Sequence, residues 1–491
     1  MAVRQIEPSW WVSLIPVVFL VAIMAVVIRI FGADALGGAS QLALILSAGV
    51  GICIAVFACG CSWKSLESAI LDNIRNIGSG ILILVMIGMI NGTWMVSGVV
   101  PTFICYGLKI ISPAVFLFAV CLICAVVSLL TGSSWTTVAT IGVAMVGIGN
   151  ALGYSSAWTA GAIISGAYFG DKISPLSDTT VLASSSASVP LFTHIRYMLI
   201  STVPSFVITL VIFLVVSLCH GSTESARADA TVEAISATFT ISPWLLLVPA
   251  FSAFLIIRKV PAFLTLLLSG LAACVAALFA QPQLVNEIAG GAADASLSFE
   301  AGVRGLMTSC FGSTGIETGN PDINSLVATK GINGMMPTIL LILCAATFGG
   351  VLTGSGMIRS ITSALTKKVS SRTGTVAATV GSGIFSNLTT GDQYLSIILT
   401  CNLFRKLYAD NGLEARLLSR STEDSVTVTS VLIPWNSCGM TQSTVLHVAT
   451  LDYLPYCFFN LISPLMSILV AATGYKIYKS GSQTSSRTSM P

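Results

Sequence analysis

Gly170-Asp171-Lys172-Ile173-Ser174-Pro175-Leu176-Ser177-Asp178-Thr179-Thr180 is the stretch whose reading decides the fold. Apolar sequence leads into it (Trp158 to Phe169) and a long apolar run follows it (Tyr197 to Leu218). It therefore lies at membrane depth while carrying two carboxylates, an ammonium and a proline. A charge inside a bilayer costs at least ~2.5–3.5 kcal/mol, so such residues face a polar cavity and carry function. Pro175 removes a backbone donor, and broken backbone at that depth survives only where it lines a cavity. The stretch predicts an ion or substrate site in an interrupted helix.

Composition agrees. Of 491 residues 54% are hydrophobic and only 9% charged, with a mean hydropathy of +0.90. A soluble domain carries roughly a quarter charged residues, so the class is an all-α polytopic membrane protein. The net charge of +3, from 23 basic and 20 acidic residues, gives no reason to expect nucleic acid. The first apolar run, Trp10 to Phe31, is too long for a signal-peptide core and is read as an uncleaved span. Most of the 13 cysteines sit singly in apolar runs, where cysteine packs as a small hydrophobe. Cys59 and Cys61 have no histidine nearby to complete a zinc set, and no cofactor is expected.

A helix needs ~20 apolar residues to span a bilayer. The predicted spans of the first half, 1–219, are 10–31, 40–60, 77–100, a pair 113–131 and 134–150, a broken span 157–189, and 196–219. A polar linker, 220–242, follows. The second half, 243–476, holds 243–257, 260–280, 335–356, a pair 373–390 and 392–408, a broken span 413–445, and 450–475. The tail, 477–491, is expected to be disordered. The segment 281–334, rich in glycine, is predicted outside without an assigned role.

The paired segments 113–150 and 373–408 turn at Thr131-Gly132-Ser133-Ser134 and Thr390-Gly391-Asp392-Gln393, too short and too little charged for external loops. They read as re-entrant hairpins ending at mid-membrane. With each hairpin returning to its own side and the N-terminus cytoplasmic, most of the 23 basic residues fall inside. Arg29, Lys109, Arg227, Arg304 and Lys330 fall outside, and Lys172 lies within the membrane. Both termini come out cytoplasmic. The halves then run in opposite directions, each with five spans and one hairpin, and Gly92…Ser97-Gly98 matches Gly350…Ser355-Gly356. An inverted repeat with paired interrupted segments points to a transporter with a midplane site.

Candidate ligands follow from chemistry. Na+ takes several hard oxygen ligands, and carboxylates with hydroxyls and freed carbonyls supply them. A desolvated carboxylate also binds protons more readily, so one site can hold either Na+ or H+. The acids are Asp178, Asp392 and Asp424, with Asp171 and Glu423 as partners. Hydroxyls, amides and backbone come from Gly132, Ser133, Ser134, Ser177, Thr179, Thr180, Thr390, Gly391, Gln393, Thr422 and Asn436. Lys172 is placed to neutralise Asp171, and Arg420 to pair with Glu423, which leaves Asp424 the freer acid. His194 and His447 fall near the predicted membrane faces.

These residues carry a resemblance. Gly132-Ser-Ser-Trp-Thr-Thr137, Gly166 to Thr180, Asp392-Gln-Tyr394, and Glu423-Asp424 with Ile433-Pro-Trp-Asn436 are similar to the NhaC-type Na+/H+ antiporter family over most of the chain. The resemblance implies a secondary transporter built of inverted repeats, with a transport domain on a dimerising scaffold, hence a homodimer. It implies Na+/H+ exchange, although relatives exchange malate for lactate. Val181 stands where the family pattern has Asn, which removes one amide beside Asp178.

The expected function is Na+/H+ antiport across the inner membrane by alternating access. The alternative is a Na+- or H+-coupled exchanger of small carboxylates or amino acids. A membrane-embedded hydrolase is disfavoured because its base would have to be His194, His220 or His447, all near membrane faces.

Overall fold

With no water in a bilayer core to satisfy amides, apolar chain must fold as helix, and it does so here. The computed structural model describes residues 8–31, 38–219, 225–291, 296–318, 324, 327–366 and 369–477, and no strand occurs among them. Among the described residues, seven helices are long and apolar enough to cross a membrane: Trp10–Phe31, Ala39–Ala58, Trp63–Val96, Pro113–Thr131, Leu191–Cys219, Ala262–Ala280 and Gly331–Gly354. Two bent pairs qualify as well, Asp229–Thr238 with Pro243–Ile257 (89°) and Thr450–Tyr456 with Phe458–Thr473 (57°). The predicted broken spans are too polar to appear in that set. Large apolar side chains such as Phe57, Ile110 and Phe279 stand outward, as lipid-facing residues do.

The stretch read as a polar linker differs from expectation. It contains the helix Ser225–Thr238, in which Ile235 is fully buried, and Phe239 follows one turn later, also buried. Apolar residues four apart share a helix face, so this segment has something to bury despite its charges. The predicted disordered tail lies almost wholly outside the described residues.

Helices approach closely where glycine lets them, as is general in membranes. A Cβ on Gly166 or Gly170 would lie 2.1 Å from Cys121 O or 2.2 Å from Ala125 O. Ser128 Oγ donates to Ala167 O at 2.5 Å across the same seam. The helix Ser156–Ile173 is therefore seated backbone to backbone on Phe116–Thr131, which fixes the first hairpin against the stretch Gly170–Thr180. Elsewhere Gly92 abuts Ser309 O, and Asn73 Nδ2 donates to Ala346 O at 2.7 Å. These contacts join Trp63–Val96 to Phe299–Phe311 and to Met336–Gly354.

Candidate functional site

Pro175 does what its chemistry requires. The helix ending at Ile173 gives way to extended backbone at Ser174, and a new helix, Asp178–Ser186, starts after Ser177. Freed groups at the break are satisfied locally. Ser174 Oγ donates to Leu129 O (2.8 Å), Thr180 Oγ1 donates to Lys172 O (2.9 Å), and Ser177 Oγ accepts from Thr180 N (3.4 Å). Ser177 also meets Thr179 Oγ1 at 3.0 Å.

The first hairpin tip reaches this break. Gly132 adopts φ +68 and ends Phe116–Thr131, and Ser133 caps the next helix by accepting from Thr136 N at 3.2 Å. Asp171 is buried and accepts from both Ser134 N (3.1 Å) and Ser134 Oγ (2.6 Å). Between tip and break lies a cavity of about 320 Å³ lined by Gly132, Ser133, Asp171, Ser177, Asp178 and Thr179. Gln393 and Tyr394 line it as well, and so does the turn Ile256–Thr265 with Lys259. Asp178 faces the cavity, exposed, and makes no hydrogen bond or ion pair with a described residue.

The second tip repeats the device. Gly391 adopts φ +66, and Asp392 caps Gln393–Asp410 by accepting from Leu395 N at 2.9 Å. Thr131 Oγ1 accepts from Ser133 N (3.3 Å) and meets Thr137 Oγ1 (3.3 Å). In the same register Thr390 Oγ1 accepts from Asp392 N (3.2 Å) and meets Ser396 Oγ (2.8 Å). The breaks correspond at the same offset: Pro175 to Pro434, Ser177 to Asn436, Asp178 to Ser437. Asn436 is the matching cap, accepting from Cys438 N at 3.1 Å, and its Nδ2 donates to Asn387 O. The link from Ser134 to Asp171 becomes one of Ser430 Oγ to Gln393 Oε1, at 3.4 Å. What changes hands is the acid. Cap Ser133 faces position Asp178, whereas cap Asp392 accepts from Ser437 Oγ at 3.4 Å.

The remaining acids lie in a sealed charge cluster, and here two expectations are corrected. Lys172 does not pair with Asp171. It pairs with Asp424 Oδ1, both side chains fully buried, and donates to Ser463 Oγ at 3.0 Å. Being next to Asp171 in a helix turns its side chain about a quarter-circle away, toward the other half. Asp424 is accordingly the most tied acid rather than the freer one. Ser201 Oγ donates to its Oδ2 at 2.7 Å and Arg420 Nε lies 3.8 Å from the same oxygen. Glu423 begins a π-helical turn, Glu423–Thr427, and both its carboxyl oxygens are buried without a partner among the described residues. Thr422 is buried beside it and accepts from Cys401 Sγ at 3.5 Å.

His194 is fully buried, with Nδ1 2.7 Å from Ser419 Oγ, which gives its ring a polar partner. His447 is exposed and ends the helix Ser437–Leu446 at φ +55. Sequence reasoning did not find Ser201, Ser463 or the cavity-lining Lys259, since each is ordinary for its local sequence. Asn387, which donates to Val426 O (2.7 Å), was findable as an amide just before a hairpin tip.

Known proteins are similar to this chain in sequence. The profile of the Na+/H+ antiporter family matches residues 1–189 and 166–475. The Na(+)/H(+) antiporter NhaC of Alkalihalophilus pseudofirmus is 41% identical over 87% of this chain and 88% of its own length. The malate-2H(+)/Na(+)-lactate antiporter of Bacillus subtilis is 34% identical over 90% and 91%. The arginine/ornithine antiporter ArcD of Halobacterium salinarum is 33% identical over 96% and 93%. Together with the apolar helices, these matches make this a multi-pass membrane protein, and the chain belongs to the Na+/H+ antiporter family.

Proposed function

We propose that the chain exchanges Na+ for H+ across the inner membrane by alternating access, with both termini cytoplasmic. The observation that carries this is Asp178, an acid with no partner among the described residues, lining a cavity at the meeting of a hairpin tip and a broken helix. Asp178 binds either ion, and Asp171, oriented by Ser134, supplies the neighbouring charge. Oxygens of Ser133, Ser177 and Thr179 line the same space and complete a hard-ligand set. Asp392 holds the second tip in the same shape. Asp424 and Glu423 adjust the charge balance through Lys172, which joins the two halves.

Recurrence of the tip hydrogen bonds in one register supports an inverted repeat, with the hairpins and breaks forming the moving part. The cavity wall includes the exposed turn at Lys259, which the positive-inside rule puts in the cytoplasm. On that reading the protein is inward-facing. We further propose a homodimer through the remaining scaffold helices.

One observation favours a second reading. A cavity of about 320 Å³ has room for an organic solute as well as a bare cation, and two relatives are named for organic exchange. Proteoliposomes holding a trapped pH dye decide between the two. A pH change driven by Na+ alone, needing more Na+ at lower pH, establishes cation–proton exchange. Flux only after malate, lactate, arginine or ornithine is added makes Na+ a coupling ion.

A further inference from the structure

Two thiols outside the ion cavity stand in contact. Cys274 lies on Ala262–Ala280 and Cys310 near the end of Phe299–Phe311, with the sulfurs 3.8 Å apart. Cys274 is just buried and Cys310 is half-buried, so a small reagent reaches the pair from outside. That separation is a van der Waals contact between sulfurs, and a disulfide would bring them to ~2.05 Å. Other cysteines close in sequence are not comparable. Cys121 and Cys124 are fully buried on one helix, and Cys59 and Cys61 flank a tight turn.

We propose that Cys274 and Cys310 form a reversible disulfide when this end of the protein meets an oxidant. Each thiol gives up one proton and one electron and the two sulfurs bond. A disulfide-bearing exchange partner, or an azo oxidant in the test tube, takes up both electrons and both protons. The bond closes a loop between positions 36 residues apart and ties two helices with different duties. Ala262–Ala280 contributes Ala262 and Thr265 to the cavity wall. Phe299–Phe311 is seated on Trp63–Val96, where Gly92 admits Ser309 O so closely that a Cβ would lie 1.9 Å from it. Oxidation thus staples the cavity wall to the helix packed behind it. On the topology proposed above this end faces outward, where disulfides persist.

The experiment uses full-length protein in membrane vesicles treated with diamide. Free thiols are blocked with N-ethylmaleimide, and peptides are analysed by mass spectrometry with and without a dithiol reductant. The expected result is a cross-linked 274–310 species that becomes the larger share, reverts on reduction, and disappears in C274S and in C310S. Either variant serves if the other folds poorly. Cys53 and Cys219 are exposed and report that oxidant and blocking reagent have reached the protein. If those two are modified while Cys274 and Cys310 stay unlinked and alkylated, the proposal is overturned.

Discussion

The two hairpin tips are built from one hydrogen-bond plan yet place their acids differently. At the first tip the cap is Ser133 and the carboxylate belongs to the break, at Asp178. At the second the carboxylate is the cap itself, Asp392, and the break offers Ser437. A carboxylate that accepts a helix N–H is committed to holding shape, since caps contribute ~1 kcal/mol each. One with no partner is available to a ligand. On the function proposed above, the same plan yields one tip ready to bind and one that holds its position.

Asp178→Asn is the most severe way to break this comparison. It keeps size and removes charge, and exchange in proteoliposomes should fall at least about 100-fold while the purified protein remains folded. Wild-type flux in that variant would remove Asp178 from the site. Next is Lys172→Ala, which leaves Asp424 buried without its ammonium partner. Breaking a buried pair typically costs about 3–5 kcal/mol, so thermal unfolding in detergent should shift far down. An unchanged unfolding temperature would show that Lys172 does not join the halves.

A third test compares the tip glycines. A side chain at left-handed φ costs about 1–2 kcal/mol at either position. A Cβ on Gly132 would also lie 2.6–2.9 Å from Leu176 atoms, two of them backbone. At Gly391 the contacts are Ala345 Cβ at 2.8 Å and Trp435 O at 3.3 Å. Gly132→Ala should therefore lower the unfolding temperature more than Gly391→Ala, and equal losses would contradict the asymmetry. The mildest test is Asp392→Ser, which gives the second tip the cap of the first. Serine caps about as well, so stability should move by less than about 0.5 kcal/mol. Exchange should fall by less than about 10-fold, and a loss as deep as that of Asp178→Asn would make Asp392 a ligand.

Much of this was legible along the chain. Glycine in a short polar turn between two apolar runs marked each hairpin, and proline marked each break, among acids at Pro175 and beside Asn436 at Pro434. These are local properties, governed by backbone sterics and missing donors. Lys172 was misassigned for the same reason. Its sequence neighbour Asp171 seemed the natural partner, but consecutive helical residues point apart, and the true partner lies 252 residues away. In sequence Arg420 pairs naturally with Glu423 and leaves Asp424 the freer acid, whereas in space both Lys172 and Arg420 reach Asp424. The linker was judged solvated from its charges, although Ile235 and Phe239 share a buried face.

The sequence by itself determined the membrane class, the interrupted helices, the turns at Gly132 and Gly391, and the identity of the acids in the segments around them. Chain hydropathy and backbone constraints act over a few residues and need no partner to be read. Only the tertiary structure decided how those acids divide among a cavity, a helix cap and a sealed ion pair. Charge pairing depends on distance through space, and the helix seams that set those distances are fixed by packing between segments far apart in the chain.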